Sequence, residues 1–287
     1  MKTVVITGAS TGIGRAAAEH LASQGWRVFA GARKQTDLDS LGGLSERIHP
    51  LPLDVTQPDQ LSEAVETVSA TLGDATLGGL VNNAGIAFMA PLALQPMDEV
   101  RAHFDVNVIG AIAASQAFAP LLGMDPERQG APGRIVNITS VGGRIASPFL
   151  GAYTATKHAL ESVTDTFRRE LMPFGIDAIA VGPGAVRTPI WDKAEDAGAD
   201  APYQDTPWAD AIKRFSQVML EGGRTGLPAE QIASVIETAL TADRPKARYA
   251  PVPDKLTNFT IATRLPKRWL DAVFAKRFGL HRRDAAG

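Results

Sequence analysis

The chain has 287 residues, 45% hydrophobic and 21% charged, with a net charge of −2, which suits one large α/β domain or two small ones of ordinary soluble composition. It has no cysteine, which excludes disulfides, thiolate catalysis and cysteine-bound metal, and no metal site is recognisable in it. No apolar run approaches the roughly 20 residues of a membrane span, and the first residues enter a strand with no leader pattern, so the expectation is a cytoplasmic protein.

Residues 2–7 hold the β-branched run Val4-Val5-Ile6, which suits a buried parallel strand. It leads into Thr7-Gly8-Ala9-Ser10-Thr11-Gly12-Ile13-Gly14 and then the helix-forming residues 15–22. Glycines between a strand and a helix let backbone approach a phosphate, and the helix N-terminus supplies N–H donors and a positive dipole. The glycine spacing is longer than G-x-G-x-x-G, so a plain structural turn is the alternative. A second strand over 27–32 is followed at once by Arg33 and Lys34, with no acidic residue before Asp37. An arginine here accommodates the 2′-phosphate of NADP, where an acidic residue would take the ribose hydroxyl of NAD. A solvated basic loop is the alternative.

Residues 48–53 read as a third strand ending at Asp54-Val55, residues 57–72 as a helix, and 79–81 as a fourth strand opening into Asn82-Asn83-Ala84-Gly85. Open α/β sheets hold ligands just past such strand ends. Residues 100–122 read as one long apolar helix with Asn107 inside it, where an amide serves a core as readily as a reaction. A fifth strand over 134–138 delivers Thr139 and Ser140 to the same edge. The helical run over 155–172 extends back to Tyr153, which puts Tyr153 and Lys157 one turn apart on one face. An ammonium there favours the phenolate and draws the phenol below its ordinary pKa of about 10, making a proton donor and acceptor near neutral pH. Ser140 can meanwhile donate to a substrate oxygen. No Gly-x-Ser-x-Gly surrounds it, which argues against nucleophilic serine chemistry. A sixth strand over 176–181 ends in Gly182-Pro183-Gly184. Strands and helices alternate without a linker, the pattern of one doubly wound parallel sheet.

Taken in order and register, the glycine loop, Asp54, Asn82 to Gly85, Asn107, Ser140, Tyr153-x3-Lys157 and Pro183-Gly184 make the chain resemble the short-chain dehydrogenase/reductase family over about residues 2–190. The resemblance implies a Rossmann-type, three-layer α/β/α fold with a seven-stranded sheet and cofactor along its carboxyl edge. It implies Tyr153 as acid/base, Lys157 lowering its pKa and holding the nicotinamide ribose, Ser140 orienting the substrate oxygen, and Asn107 kinking its helix and holding a proton-relay water. It further implies a cofactor cradle of Gly8, Ser10, Thr11, Gly12, Ile13 and Gly14, with Asp54 and Val55 at the adenine. Asn83, Ala84 and Gly85 fall near the adenine ribose, and Pro183, Val186 and Thr188 near the nicotinamide amide. NADP(H) is preferred to NAD(H) on Arg33 alone, since Thr11 stands where some NADP-binding members carry a second basic residue. A homodimer or homotetramer is implied by resemblance only.

The expected division is one catalytic domain over 1–243, with a substrate lid at 189–222, and a C-terminal helical extension over 244–287 that is no independent domain. The lid starts acidic (Asp192, Glu195, Asp196, Asp200, Asp205) and continues with Trp208, Ile212, Phe215 and Met219 at helical spacing. Over an active site such a stripe walls an apolar pocket, which points to a steroid-, retinoid- or lipid-like alcohol, ketone or aldehyde. The extension carries +8 against −10 for residues 1–243. Trp269, Leu270, Val273, Phe274 and Phe278 are expected on one helical face among Lys267, Arg268, Lys276 and Arg277. Packing on the domain, over the pocket or on a sister subunit is favoured over an anionic membrane surface, and nucleic acid is not expected. A dinucleotide sensor without turnover, or an epimerase or dehydratase on the same scaffold, are the rival readings.

Overall fold

The computed structural model describes residues 1–188, 203–253 and 256–281. Its sheet is built from β1 (Thr3–Ile6), β2 (Arg27–Ala32), β3 (Ile48–Pro52), β4 (Gly79–Asn82), β5 (Arg134–Ile138), β6 (Asp177–Val181) and β9 (Arg248–Tyr249). These seven strands are all parallel, in the order β3-β2-β1-β4-β5-β6-β9. The order reverses between β1 and β4, the switch point at which such sheets open a crevice at their carboxyl edge.

Alternation along the strands supplies both faces of the sheet. Val4, Ile6, Val28, Ala30, Val81, Val136 and Ile179 meet the small-residue face of α1 (Gly12–Ser23) and the apolar face of α8 (Ala229–Thr241). Val5, Phe29, Leu80, Ile135 and Ala178 meet α3 (Pro58–Leu72) and α5 (Gly110–Phe118) on the other side. Short α2 (Gln35–Gly42) follows β2, and a two-stranded sheet pairs β7 (Val186–Arg187) with β8 (Leu227–Pro228). The strand that begins in the basic extension is β9: Arg248 and Tyr249 pair with Ala180 and Val181.

The long helix expected over 100–122 is divided. It runs as α4 (Met97–Phe104), a wide π turn over Asp105–Ile109, α5, and a second wide turn over Pro120–Met124. Asn107 lies in the first turn with its amide bonded to the backbone of Ile86. Such an insertion into the helical ladder is a recognised cause of a bend.

A third apolar cluster joins Phe149, α7 (Ala209–Thr225) and α9 (Lys267–Phe278). Phe215 sits edge-on to Phe149 at 5.6 Å and to Phe278 at 5.2 Å. The apolar stripe of Trp208, Ile212, Phe215 and Met219 is thus part of a packed core, with Ile212 and Phe215 buried and Trp208 and Met219 half-buried. The single apolar face expected on the tail helix is in fact two. Leu270, Phe274 and Phe278 turn towards the protein, whereas Trp269 and Val273 remain 67% and 51% exposed. At about 3.6 residues per turn, Trp269 and Phe278, nine apart, fall on opposite sides. Of the expected lid, residues 189–202 with Asp192, Glu195, Asp196 and Asp200 lie outside the described residues.

Phe278 is only 3% exposed, and emptying such an aromatic site costs about 3 kcal/mol. Phe278→Ala should therefore speed amide exchange across α9 by about two orders of magnitude, with β1 and β4 unchanged. Equal exchange in variant and wild type would show that α9 is held by something else.

Candidate active site

Parallel strands bring their carboxyl ends to one edge, so the segments after β1, β4, β5 and β6 converge there. In the glycine loop, Gly8 and Gly12 have φ of +64° and +59°, the left-handed region that glycine enters without strain. A Cβ on Gly8 would stand 2.7 Å from Ala84 Cα, and one on Gly12 would stand 3.2 Å from Thr188 Cγ2. The loop therefore touches both the 82–85 segment and the 182–188 segment. Asn83 sews the first contact: its Nδ2 donates to Gly8 O at 2.7 Å and Thr7 O at 3.1 Å. The Thr7 hydroxyl in turn accepts from the backbone N–H groups of Asn83 and Ala84. Thr11 opens α1 without a side-chain cap, and no acidic residue stands in the first turn. An uncapped, glycine-lined helix start of this kind suits a phosphate, and in that respect the residues fit a dinucleotide. Ser10 is half-buried and Thr11 exposed on the loop, Ile13 packs on the core, and Gly14 is buried against Asn83 and the Gly8 carbonyl.

Arg33 leaves the end of β2 65% exposed and 3.7 Å from the Asp54 carboxylate. Asp54 is fixed by the Thr56 N–H at 3.0 Å and its hydroxyl at 2.7 Å, with Val55 buried beside it. Pro183 and Val186 are buried and Thr188 half-buried along the last segment.

Tyr153 and Lys157 stand on α6 (Gly151–Glu170). Ser140, just past β5, stands close enough to the Tyr153 hydroxyl to draw its pKa down and accepts a hydrogen bond from Gly142 N–H at 3.0 Å. Lys157 is buried, its Nζ donating to Ile138 O at 2.9 Å and lying 5.7 Å from the centre of the Tyr153 ring. Burial pulls its pKa from 10.5 down to about 8. Burial acts on the phenol in the opposite direction, raising Tyr153 above 10, while Ser140 draws it back only in part. The lowered phenol pKa expected from the Lys157 spacing is therefore corrected. With Lys157 Nζ 5.7 Å from its ring centre, the phenol responds first to loss of water and second to Ser140.

Asn107 donates to Ile86 O at 2.9 Å and to the Thr156 hydroxyl at 3.0 Å, and accepts from Ile86 N–H at 2.8 Å. Gly85 fits between it and Lys157: a Cβ there would lie 3.2 Å from Asn107 Oδ1 and 3.7 Å from Lys157 Nζ. Two supports had no signal in the motifs. His103, fully buried, accepts from Phe88 N–H at 2.9 Å and bonds Glu99 O at 2.8 Å, which holds the segment after Gly85. Glu161, one turn beyond Lys157, was findable by helical periodicity. A cavity of about 810 Å³ lies off the reacting face of α6, lined by Leu92, Phe149, Thr154, His158, Trp208 and Phe274; Ser140, Tyr153 and Lys157 do not line it.

The sign of the Lys157 shift gives a stability test. Its folded pKa of about 8 lies below its ordinary 10.5, so the unfolded chain binds the proton more tightly. The burial cost is fully present below the folded pKa and is relieved as pH rises between the two values. A shift of this size corresponds to about 3 kcal/mol. Wild type should gain stability relative to Lys157→Met across pH 8 to 10.5 in denaturant titrations; a pH-independent difference would rule out the buried ammonium.

Comparison with known proteins agrees with this geometry. The family described as short chain dehydrogenase matches residues 2–198. The NADPH-dependent 3-dehydrocapnine reductase of Ornithobacterium rhinotracheale is 35% identical over 277 residues, covering 96% of this chain and 97% of its own. Retinol dehydrogenase 5 of Mus musculus is 34% identical over 288 residues, covering 94% and 86%. Among solved structures, a short-chain dehydrogenase from Streptomyces avermitilis superposes with a TM-score of 0.72 at 28% identity, covering 96% of this chain and 94% of that one. With the glycine loop, the Ser140–Tyr153–Lys157 cluster and these relatives in agreement, the chain belongs to the short-chain dehydrogenase/reductase family.

Proposed function

We propose that this oxidoreductase moves a hydride between NADP(H) and an apolar ketone, aldehyde or alcohol, with Tyr153 as its acid and base. The observation that carries the reading is Lys157, buried with its Nζ 5.7 Å from the centre of the Tyr153 ring, with Ser140 beside that tyrosine at the exit of β5. When bound, the nicotinamide supplies or accepts the hydride. The chain's own residues do the rest. Ser140 donates to the substrate oxygen and fixes its direction. Tyr153, held protonated by burial, gives its phenolic proton to that oxygen in reduction and takes it back in oxidation. Lys157 balances the tyrosinate, and with a pKa of about 8 it can return a proton near neutral pH. Asn107 keeps Ile86 against α6, and in this reading a water beside it passes protons to Lys157.

Arg33 supports NADP(H) over NAD(H): it is exposed and its pairing with Asp54 at 3.7 Å is loose, so a 2′-phosphate can take its place. The relative described as NADPH-dependent supports the same choice, and the relative described as a retinol dehydrogenase supports an apolar substrate. Exposed Leu94, Met97, Phe104 and Ile109, on α4 and the segments either side of it, support a homodimer or homotetramer. Docking of α9 through Phe274 and Phe278 supports a packed tail rather than a membrane anchor.

A charge-assisted bond is worth about 1.5–3 kcal/mol, so NADPH should bind about ten-fold or more tighter than NADH by nicotinamide fluorescence, and Arg33→Ala should erase the difference. Tighter binding of NADH would overturn the cofactor choice. Turnover of retinaldehyde or a steroid ketone should disappear in Tyr153→Phe; a fully active variant would overturn the acid/base assignment.

A further inference from the structure

Ser140 is held from its backbone side by groups that none of the motifs contains. Glu161 lies one turn beyond Lys157 on α6 and is 7% exposed. Its carboxylate accepts from the Thr139 hydroxyl at 2.6 Å, from Arg248 Nε at 3.0 Å to each oxygen, and from Arg144 Nε at 3.1 Å. Arg248, with its side chain 15% exposed, reaches past Glu161 to donate from Nη2 to the Ser140 carbonyl at 3.2 Å. Its guanidinium carbon lies 4.7 Å from the centre of the Phe259 ring. Two glycines make the room. A Cβ on Gly143 would stand 2.9 Å from Glu161 Cγ, and one on Gly182 would overlap the Arg248 guanidinium.

Three consecutive residues at the exit of β5 are thereby tied from outside their own strand. Ile138 is tied by its carbonyl to Lys157, Thr139 by its hydroxyl to Glu161, and Ser140 by its carbonyl to Arg248. A buried ion pair gives little net stability, because desolvation offsets the attraction. What a pair held by several hydrogen bonds does supply is geometry. Ser140 is the residue whose geometry the reaction needs, since its hydroxyl must meet both Tyr153 and the substrate oxygen.

We propose that Glu161 and Arg248 are positioning residues for Ser140, so that β9, at the start of the basic extension, belongs to the catalytic apparatus as well as to the sheet edge. Neither residue touches the reacting atoms; Arg248 acts through the Ser140 carbonyl, and Glu161 acts through Thr139 and by holding Arg248. The kinetic arm of the test rests on the oxidoreductase reading above, whereas a spectroscopic arm does not.

Only three tyrosines occur in the chain, so fluorotyrosine labelling gives few fluorine resonances, and Tyr153→Phe identifies the one that matters. In Arg248→Met that resonance should move in the same direction as in Ser140→Ala, by no more than in that variant. With retinaldehyde as probe, Arg248→Met should lower kcat by about ten-fold or more, with the KM for NADPH within about two-fold of wild type. In the Ser140→Ala background the same change should cost nothing further, because residues acting through one group are not additive. An unmoved Tyr153 resonance in Arg248→Met, or an equal loss in both backgrounds, overturns the proposal. Should Arg248→Met fail to fold, Arg248→Lys keeps the charge beside Glu161 without the fork that spans to Ser140; a smaller change of the same kind supports the proposal, and wild-type behaviour overturns it. A wild type that turns over no carbonyl would refute the functional reading while leaving the resonance test in force.

Discussion

Helix α6 is fastened to β5 and the residues just beyond it by polar bonds rather than apolar packing alone, and the site depends on that fastening. Lys157 donates to the Ile138 carbonyl, Glu161 accepts from Thr139, and the Thr164 hydroxyl accepts from Asn137. Residues 157, 161 and 164 share one face of a helix. The strand groups they meet are buried, so each must find a partner or carry the cost of desolvation. A small rotation of the helix would orphan several polar groups at once. Apolar contacts tolerate sliding; these do not. The same constraint places Tyr153 beside Ser140.

The neighbouring segments are positioned by close approach of backbone. The loop after β1 presses on Ala84 and Thr188, which requires glycine at 8 and 12, and Asn83 ties it to the exit of β4. Asn107 and His103 both spend their side chains on the segment over 86–88. Polar residues that could pass for catalysts are thus structural in their first role. Asn107 nonetheless lies close to the cluster, with only Gly85 between it and Lys157.

Burial shapes the acid–base chemistry by raising the phenol and lowering the ammonium. The pair is brought towards a shared proton from both sides, because a low dielectric penalises the charged form of each. A tyrosine that keeps its proton is suited to serve as an acid. A lysine near neutrality is suited to replenish it. The apolar stripe of α7 tells a related story: much of it is spent on Phe149 and Phe278, which ties the tail helix to α7.

By itself the sequence determined the class of fold, the six strands through Val181 to within a residue or two, the parallel sense of the sheet implied by alternation, and that Ser140, Tyr153 and Lys157 would come together. These are local signals: β-branched runs, a glycine loop between strand and helix, and Tyr and Lys one turn apart. The tertiary structure alone decided what depends on distant neighbours. The seventh strand is two residues long, too short for any periodicity. The helix over 100–122 is interrupted by a π turn at Asn107, whose side chain is spent on Ile86, a partner 21 residues away. The tail helix shows apolar residues on two sides, and only the position of α7 decides which side is covered. The phenol pKa moves upward because surroundings drawn from several elements exclude water, where spacing along one helix reports only the nearby charge. Arg248 reaches Ser140 across 108 residues of chain, a contact that only the folded sheet can make.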